Sequence, residues 1–189
     1  MTDRRARSWP PWLRWGLLVV GAQACAVGVY LWVEHGRRMD TPRALRAERL
    51  DAPAPPLTLR RPDGTVLTLA ALRGRLVLLH FWATWCAPCR VELPALLELG
   101  RELCGAERCA VVAAAVDDDW PAVRKFFAGA IPPEVVTVPA DVAERLYGVS
   151  TLPDTYLVDA EGTLRRRFLG GRDWQDPAIR EMVESMQVK

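Results

Sequence analysis

A continuous apolar run that ends beside two closely spaced cysteines constrains the fold of this chain more than any other feature. The run "RLVLLHFWA", residues 75–83, has the length and the lack of alternation typical of a strand buried on both faces of a sheet. From residue 87 to about 103 the apolar residues return at helical spacing, at Val91, Leu93, Leu96, Leu97 and Leu99. Cys86 and Cys89 are therefore expected where a central strand passes into a helix.

The rest of the chain alternates between strand and helix patterns. Two short alternating runs flank Pro62-Asp63-Gly64, which predicts a hairpin before the buried strand. After the cysteine-bearing helix we expect, in order, a strand "CAVVAAAV", a helix in "DDDWPAVRKFF" with an aspartate cap, a strand "EVVTV", a helix "DVAERLYG", strands "TYLVDA" and "TLRRRFL", and a helix from about residue 176. This order predicts the α/β class with an N-terminal β-hairpin extension.

A second apolar segment lies near the start of the chain. Its nineteen residues, 15–33, contain one polar side chain, Gln23. At about 1.5 Å per residue the segment nearly covers a hydrocarbon core about 30 Å thick, so we predict a single transmembrane helix. A cleaved signal peptide is the alternative because "AQA" resembles a cleavage site, although the apolar run continues for nine residues past it. Cys25 is interpreted as a packing residue rather than a lipidated one.

These segments predict four parts: a cytoplasmic tail (1–14), a transmembrane anchor (15–33), a charged linker (34–52) and a folded domain (53–189). Arginines flank the anchor on both sides, so the positive-inside rule does not choose the orientation. The formal net charge is +2 and the basic residues are scattered among acidic ones. This pattern disfavours nucleic acid as a partner.

The position of Cys86 determines its chemistry. Unpaired backbone N–H groups and the dipole at a helix start favour thiolate over thiol and can lower a cysteine pKa from ~8.5 into the range of roughly 3.5 to 7.5. Cys89 lies three residues on, on the same face of the first turn, and Pro88 fits that turn because a missing N–H costs little there. We expect Cys86 to attack a partner's disulfide and Cys89 to resolve the mixed disulfide.

The stretch "FWATWCAPCRVELP" resembles the active-site region of thioredoxin-fold proteins, and most closely their TlpA/ResA-like branch. The preceding "DGTVLTLAALRGRLVLLH" and the later "YGVSTLPDTYLVDAEG" follow the pattern of that branch as well, so the resemblance covers about residues 55–186. It implies a thioredoxin-like fold and a thiol–disulfide oxidoreductase that needs no cofactor. It also implies a single-pass protein of the bacterial cytoplasmic (inner) membrane whose catalytic domain lies in the periplasm.

The resemblance also assigns roles to individual residues. Pro153 would be the cis-proline that faces the active-site disulfide, and Trp85 would shield the sulfurs. Glu92 matches a glutamate below the active site that could hold or relay protons. Taken alone, Pro153 could be a trans turn proline and Glu92 a solvated helix residue.

His80 departs from the family pattern, which has aspartate in thioredoxin and often asparagine in this branch. Its ring is a candidate proton acceptor for Cys89, and with an ordinary pKa of about 6.5 it would respond to mild acid. A satisfied core or rim histidine is the alternative.

Cys104 and Cys109 flank a predicted helix-to-strand turn with four residues between them. We predict a structural disulfide, which would indicate an oxidising compartment; paired thiols or buried free cysteines are the alternatives. As an alternative, the two cysteine pairs together could form a zinc or copper site, because their spacing is loosely like that of a zinc ribbon. Because Cys86 and Cys89 lie at a strand–helix junction, we expect no metal. Peroxidase activity is disfavoured because no PxxxTxxC pattern surrounds Cys86.

The direction of exchange and the partners follow from the resemblance. The Ala-Pro pair between the cysteines resembles that of thioredoxin more than the histidine-bearing pair of strong oxidants, which favours a reductant over an oxidant or isomerase. Proteins of this branch commonly reduce apocytochrome c or other exported proteins and take electrons from a transmembrane thiol carrier. The expected partners are therefore disulfide-bearing exported proteins, for example in cytochrome c maturation, and a transmembrane thiol donor.

Overall fold

The structure is a computed structural model that describes residues 20–31, 47–105, 108–117 and 120–187. The chain divides into two units, 1–42 and 43–189. In the first unit residues 20–31 form a helix, α1, with every residue exposed. It lies within the predicted transmembrane segment, whose two ends fall outside the described residues, as do the tail and most of the predicted linker. Among the described helices none is both long enough and apolar enough to cross a bilayer.

Eight strands of the second unit form one mixed sheet in the order β1-β8-β7-β4-β5-β6-β2-β3. The strands are β1 Glu48–Pro53, β2 Thr58–Arg60, β3 Val66–Thr68, β4 Leu76–Trp82, β5 Cys109–Ala115, β6 Val135–Thr137, β7 Asp154–Val158 and β8 Thr163–Leu169. Strands β4, β5 and β6 are parallel, and β7 is antiparallel to β4. All seven residues of β4 are buried, so the apolar run is the central strand, as predicted.

The helices cover this sheet close to their predicted positions. They are α2 Ala87–Leu103, α3 Trp120–Phe127, α4 Ala140–Tyr147 and α5 Pro177–Gln187, with a 3-10 turn at Leu69–Leu72. The predicted hairpin is β2–β3, in which Leu59 lies opposite Leu67. One predicted position of the apolar stripe of α2 is wrong: Val91 is 81% exposed. The buried face of α2 includes Cys89, Leu93 and Leu96, which are spaced by four and three residues, and Val91 lies outside this face.

The start of the folded domain differs from the prediction. The sequence predicts a linker through residue 52, whereas Glu48–Pro53 form β1, antiparallel to β8. Five of the six side chains of β1 are exposed, so the strand carries no alternating apolar pattern to reveal it. Backbone hydrogen bonds to the edge of β8 hold it in place instead. The domain therefore includes residues from at least Glu48.

A disulfide joins Cys104, at the end of α2, to Cys109, the first residue of β5. Cys109 is buried. The bridge ties the end of the active-site helix to the beginning of a buried strand.

Removing this bridge should lower stability without removing activity. A loop of this size predicts a loss of about 2 kcal/mol for Cys104→Ala/Cys109→Ala, because the unfolded chain gains freedom. Urea unfolding of the full-length protein measures the change. Cys25→Ala is the matched control, because Cys25 is in neither disulfide, and we expect it to change stability by less than about 0.5 kcal/mol. Equal stabilities of the double variant and the control would contradict a stabilising role.

Candidate active site

The first turn of α2 presents a bonded pair of cysteines. Cys86 is the N-cap of the helix, and its Sγ accepts a hydrogen bond from the backbone N–H of Cys89 at 3.3 Å. Their sulfurs form a disulfide with a Cα–Cα distance of 5.3 Å, and both side chains are buried. When the bond is reduced, the same N–H and the helix dipole favour the thiolate of Cys86. The sequence placed both residues at this junction.

Pro153 directly precedes β7, a strand that pairs with β4. The Leu152–Pro153 peptide bond is cis. The next residue, Asp154, pairs with Phe81 near the end of β4, so Pro153 lies near the segment that leads from β4 to the cysteines. The carbonyl of Pro153 accepts the N–H of Gly170 at 2.9 Å. Trp85, the residue before Cys86, is 71% exposed.

Glu92 and His80 form a buried pair next to the disulfide. Glu92 follows Cys89 by one helical turn, and its Oε2 accepts a hydrogen bond from the backbone N–H of Arg172. Its Oε1 lies 3.7 Å from Nε2 of His80, on β4. The other ring nitrogen of His80, Nδ1, lies 2.8 Å from Oγ1 of Thr155, on β7. Both Glu92 and His80 are buried.

Burial shifts the pKa values of the two groups in opposite directions. It raises the pKa of Glu92 to about 7, although the N–H of Arg172 acts against this shift. It lowers the pKa of His80 to about 3. The expectation that His80 responds to mild acid is therefore wrong, because desolvation penalises the imidazolium form. Glu92 is the group of this pair that changes charge near neutral pH.

Asp117 is a residue of this site that sequence reasoning missed. It follows β5, and its Oδ2 accepts the N–H of Thr84 at 2.9 Å while its Oδ1 accepts the Thr84 hydroxyl at 2.6 Å. Thr84 precedes Cys86 by two residues, so these hydrogen bonds from Thr84 to Asp117 hold the segment that connects β4 to the disulfide. The sequence predicted only a helix cap among three aspartates. The sequence did contain a signal for this residue: Asp117 is a polar residue at the carboxyl end of a strand parallel to β4, where functional side chains of α/β proteins often lie.

We expect Asp117→Ala to destabilise the protein by about 1–3 kcal/mol and to slow thiol exchange, because the partly buried donors of Thr84 lose their acceptor. Asp63→Ala is a matched control, since Asp63 accepts the N–H and hydroxyl of Thr65 in an exposed turn. We expect the control to cost less than about 1 kcal/mol. Urea unfolding and exchange kinetics measure both variants, and equal effects would contradict a special role for Asp117.

The described residues contain no group of three or more His, Cys, Asp or Glu side chains placed to hold a metal ion. The four cysteines of the sequence-based alternative are bonded in two separate disulfides. The arrangement at the start of α2 instead provides a dithiol–disulfide couple with a buried carboxyl beside it.

Comparisons with known proteins agree with this geometry. The model of the AhpC/TSA family matches residues 50–167. The thiol:disulfide interchange protein DsbE of Pseudomonas fluorescens biotype C is 33% identical over 171 residues, which cover 86% of this chain and 90% of that protein. The thiol-disulfide oxidoreductase ResA of Geobacillus thermodenitrificans is 31% identical over 137 residues, 71% of this chain and 76% of that protein.

A crystal structure gives the same result for the fold. The thiol:disulfide interchange protein of the thioredoxin family from Chlorobium tepidum TLS matches with a TM-score of 0.61 at 25% identity, covering 75% of this chain and 99% of that chain. The thioredoxin-like fold and the resemblance to ResA-like proteins are thereby confirmed. This chain belongs to the AhpC/TSA family and is a thioredoxin-like thiol–disulfide oxidoreductase.

Proposed function

We propose that this oxidoreductase is anchored in the bacterial inner membrane and reduces disulfides of exported proteins, for example in cytochrome c maturation. The observation that carries the proposal is the Cys86–Cys89 pair at the start of α2. The Ala-Pro dipeptide between the cysteines, which resembles that of thioredoxin, supports the direction of reduction. The relatives' names support thiol exchange with proteins as the reaction.

The reaction proceeds in two exchanges. The thiolate of Cys86 attacks one sulfur of the partner's disulfide, forming a mixed disulfide and releasing the partner's other sulfur as a thiolate. Cys89 then loses its proton, and its thiolate attacks the sulfur of Cys86. The mixed disulfide breaks, the partner leaves as a dithiol after taking up two protons, and the Cys86–Cys89 disulfide forms. Two electrons pass to the partner, and a transmembrane thiol donor restores them.

The neighbouring residues assist these exchanges. Pro153 and the preceding backbone of Leu152 hold the incoming polypeptide against the sulfurs. Trp85, exposed beside Cys86, contacts the partner and shields the disulfide. Glu92 takes the proton of Cys89, because its raised pKa makes it an acceptor close to neutral pH.

The anchor is residues 15–33, and the domain lies on the periplasmic side of the membrane. The support is the apolar composition of this segment and the exposure of Val20, Val27, Val29 and Leu31 in α1. Exposed apolar side chains at this density favour a lipid environment. The Cys104–Cys109 disulfide favours an oxidising compartment for the domain.

Trapping of the mixed disulfide tests the function. In Cys89→Ser the second exchange cannot occur, so Cys86 is expected to stay covalently bound to its partner, and mass spectrometry identifies that partner. Cys86→Ser/Cys89→Ser is the control and should capture nothing. Capture of no exported protein by Cys89→Ser would contradict the proposal.

A redox titration tests the direction separately. A reductant requires a potential well below that of strong oxidants. A value close to about −120 mV would instead favour an oxidant or isomerase.

A further inference from the structure

Two buried polar atoms beside the active-site disulfide face each other without a hydrogen-bond partner. They are Nε2 of His80 and Oε1 of Glu92, and 3.7 Å separates them. Their side chains are 0% and 3% exposed, so water does not reach them freely. Buried polar groups are rarely left unpaired in folded proteins. An approach of about 0.5 Å would bring the two atoms into hydrogen-bond distance.

The other polar atom of each group already has a partner, and this defines the roles of the facing atoms. Oε2 of Glu92 accepts the backbone N–H of Arg172, so Oε1 is the oxygen that can carry a proton. When Nδ1 of His80 carries the ring proton, it donates to Oγ1 of Thr155 at 2.8 Å, and Nε2 is then an acceptor. A neutral carboxyl and a neutral imidazole therefore complement each other here.

We propose that His80 is a positioning residue whose Nε2 accepts the Oε1–H of Glu92 and so stabilises the protonated form of this carboxyl. This inference rests on the proposed function, because the proton in question is the one that Cys89 loses in the second exchange. The Cys89 thiol gives its proton to the Glu92 carboxylate, and the new O–H donates to His80. The resulting Cys89 thiolate attacks Cys86, and the proton later passes to the departing partner thiolate.

The surroundings of the pair contain opposing influences on Glu92. The groups around it come from four elements: His80 on β4, Thr155 on β7, Arg172 and Trp174 after β8, and the bonded Cys89 on α2. Burial raises the pKa of Glu92 to about 7, while the backbone N–H of Arg172, the Trp174 indole and the charge of Arg172 favour the carboxylate. An acceptor at Nε2 favours the neutral form further. The second exchange should therefore accelerate as the pH rises through this raised pKa and Glu92 becomes able to accept a proton.

The variant His80→Asn tests this role. Its carboxamide N–H₂ can donate to Glu92 and stabilise the carboxylate, so we expect the pKa of Glu92 to fall by about one unit. The carboxyl resonance of Glu92 in the ¹³C-labelled full-length protein reports this pKa. The pH midpoint of the second exchange, measured as partner release, should fall by the same amount. A merely structural role would change stability alone, and an unchanged midpoint would overturn the proposal.

A second variant keeps the imidazole in place. In Thr155→Val, Nδ1 loses its acceptor, so the ring proton is expected to move to Nε2, which then donates to Glu92 and lowers its pKa in the same direction. Ring ¹⁵N spectra follow the tautomer directly. The chain has two histidines, so the signal missing from His80→Asn identifies His80. A wild-type ring protonated at Nε2 rather than Nδ1 would overturn the proposal.

These readouts separate the inference from the function on which it rests. The tautomer and the pKa of Glu92 are measured without a partner protein, and either can contradict the hydrogen bond. The trapping experiment with Cys89→Ser, by contrast, reports on the proposed function alone.

Discussion

The Cys86→Ser protein is expected to reduce partner disulfides at least about a thousandfold more slowly than the wild type. The thiolate is the nucleophile, and neither the helix dipole nor the N–H of Cys89 can ionise a serine hydroxyl near neutral pH. Serine is nearly the same size as cysteine, so the buried N-cap position remains filled. The rate of reduction of a model disulfide by the full-length protein measures the loss.

The second cysteine pair provides the control for this prediction. Cys104→Ser/Cys109→Ser removes the other disulfide by the same chemical change. We expect its exchange rate to stay within about threefold of the wild type, because this pair lies at the far end of α2 and takes no part in the exchange. Loss of activity in this variant but not in Cys86→Ser would show that Cys104 and Cys109, rather than Cys86 and Cys89, form the redox-active pair.

The largest effect on stability is expected from Arg167→Met. Arg167, on β8, donates to both carboxylate oxygens of Asp154. Asp154 directly follows Pro153, and its side chain is fully buried. Removing the arginine leaves a buried charge without its partner, which costs about 3–5 kcal/mol at neutral pH. Urea unfolding as a function of pH measures this cost.

The pH dependence has a defined sign. Burial raises the pKa of Asp154, and the hydrogen bonds and charge of Arg167 lower it. Without Arg167 this pKa rises further, so the neutral carboxyl is favoured in the folded state. The destabilisation of Arg167→Met should therefore be greatest above this raised pKa and should shrink as the pH falls through it.

Arg165→Met is the matched control on the same strand. Arg165 pairs with Asp51 and Asp159, but its side chain is 43% exposed and that of Asp51 is 81% exposed. Exposed ion pairs contribute little, so we expect a loss of less than about 1 kcal/mol. Equal losses for the two variants would show that the burial of Asp154 does not matter.

Strong periodicity made most of the elements predictable. The buried run of β4, the helical spacing of α2 and the turn residues between β2 and β3 each have one clear structural interpretation, and the structure matches them within a residue or two. Strand β1 has no such signal, because five of its six side chains are exposed and the backbone pairing with β8 leaves no periodic pattern in the sequence. A strand held in this way is indistinguishable from a linker in the sequence.

Other features depend on contacts between distant parts of the chain. The bond of Asp117 to Thr84 spans 33 positions, and that of His80 to Thr155 spans 75. The sequence located His80 in a buried strand, but it could not show that desolvation keeps the ring neutral. The pKa of a side chain follows from its three-dimensional surroundings, and those surroundings come from β7 and the segment after β8.

The two disulfides lie at opposite ends of the central sheet. Cys109 begins β5 opposite Leu76, whereas Cys86 follows the other end of β4, and seven residues of strand at about 3.3 Å each separate these ends by roughly 20 Å. Sulfur must contact sulfur for exchange, so electrons cannot pass between the pairs within one chain. With five cysteines in the chain and Cys25 in neither bridge, alkylation during a redox titration should yield molecules carrying one, three or five labels, in two independent steps.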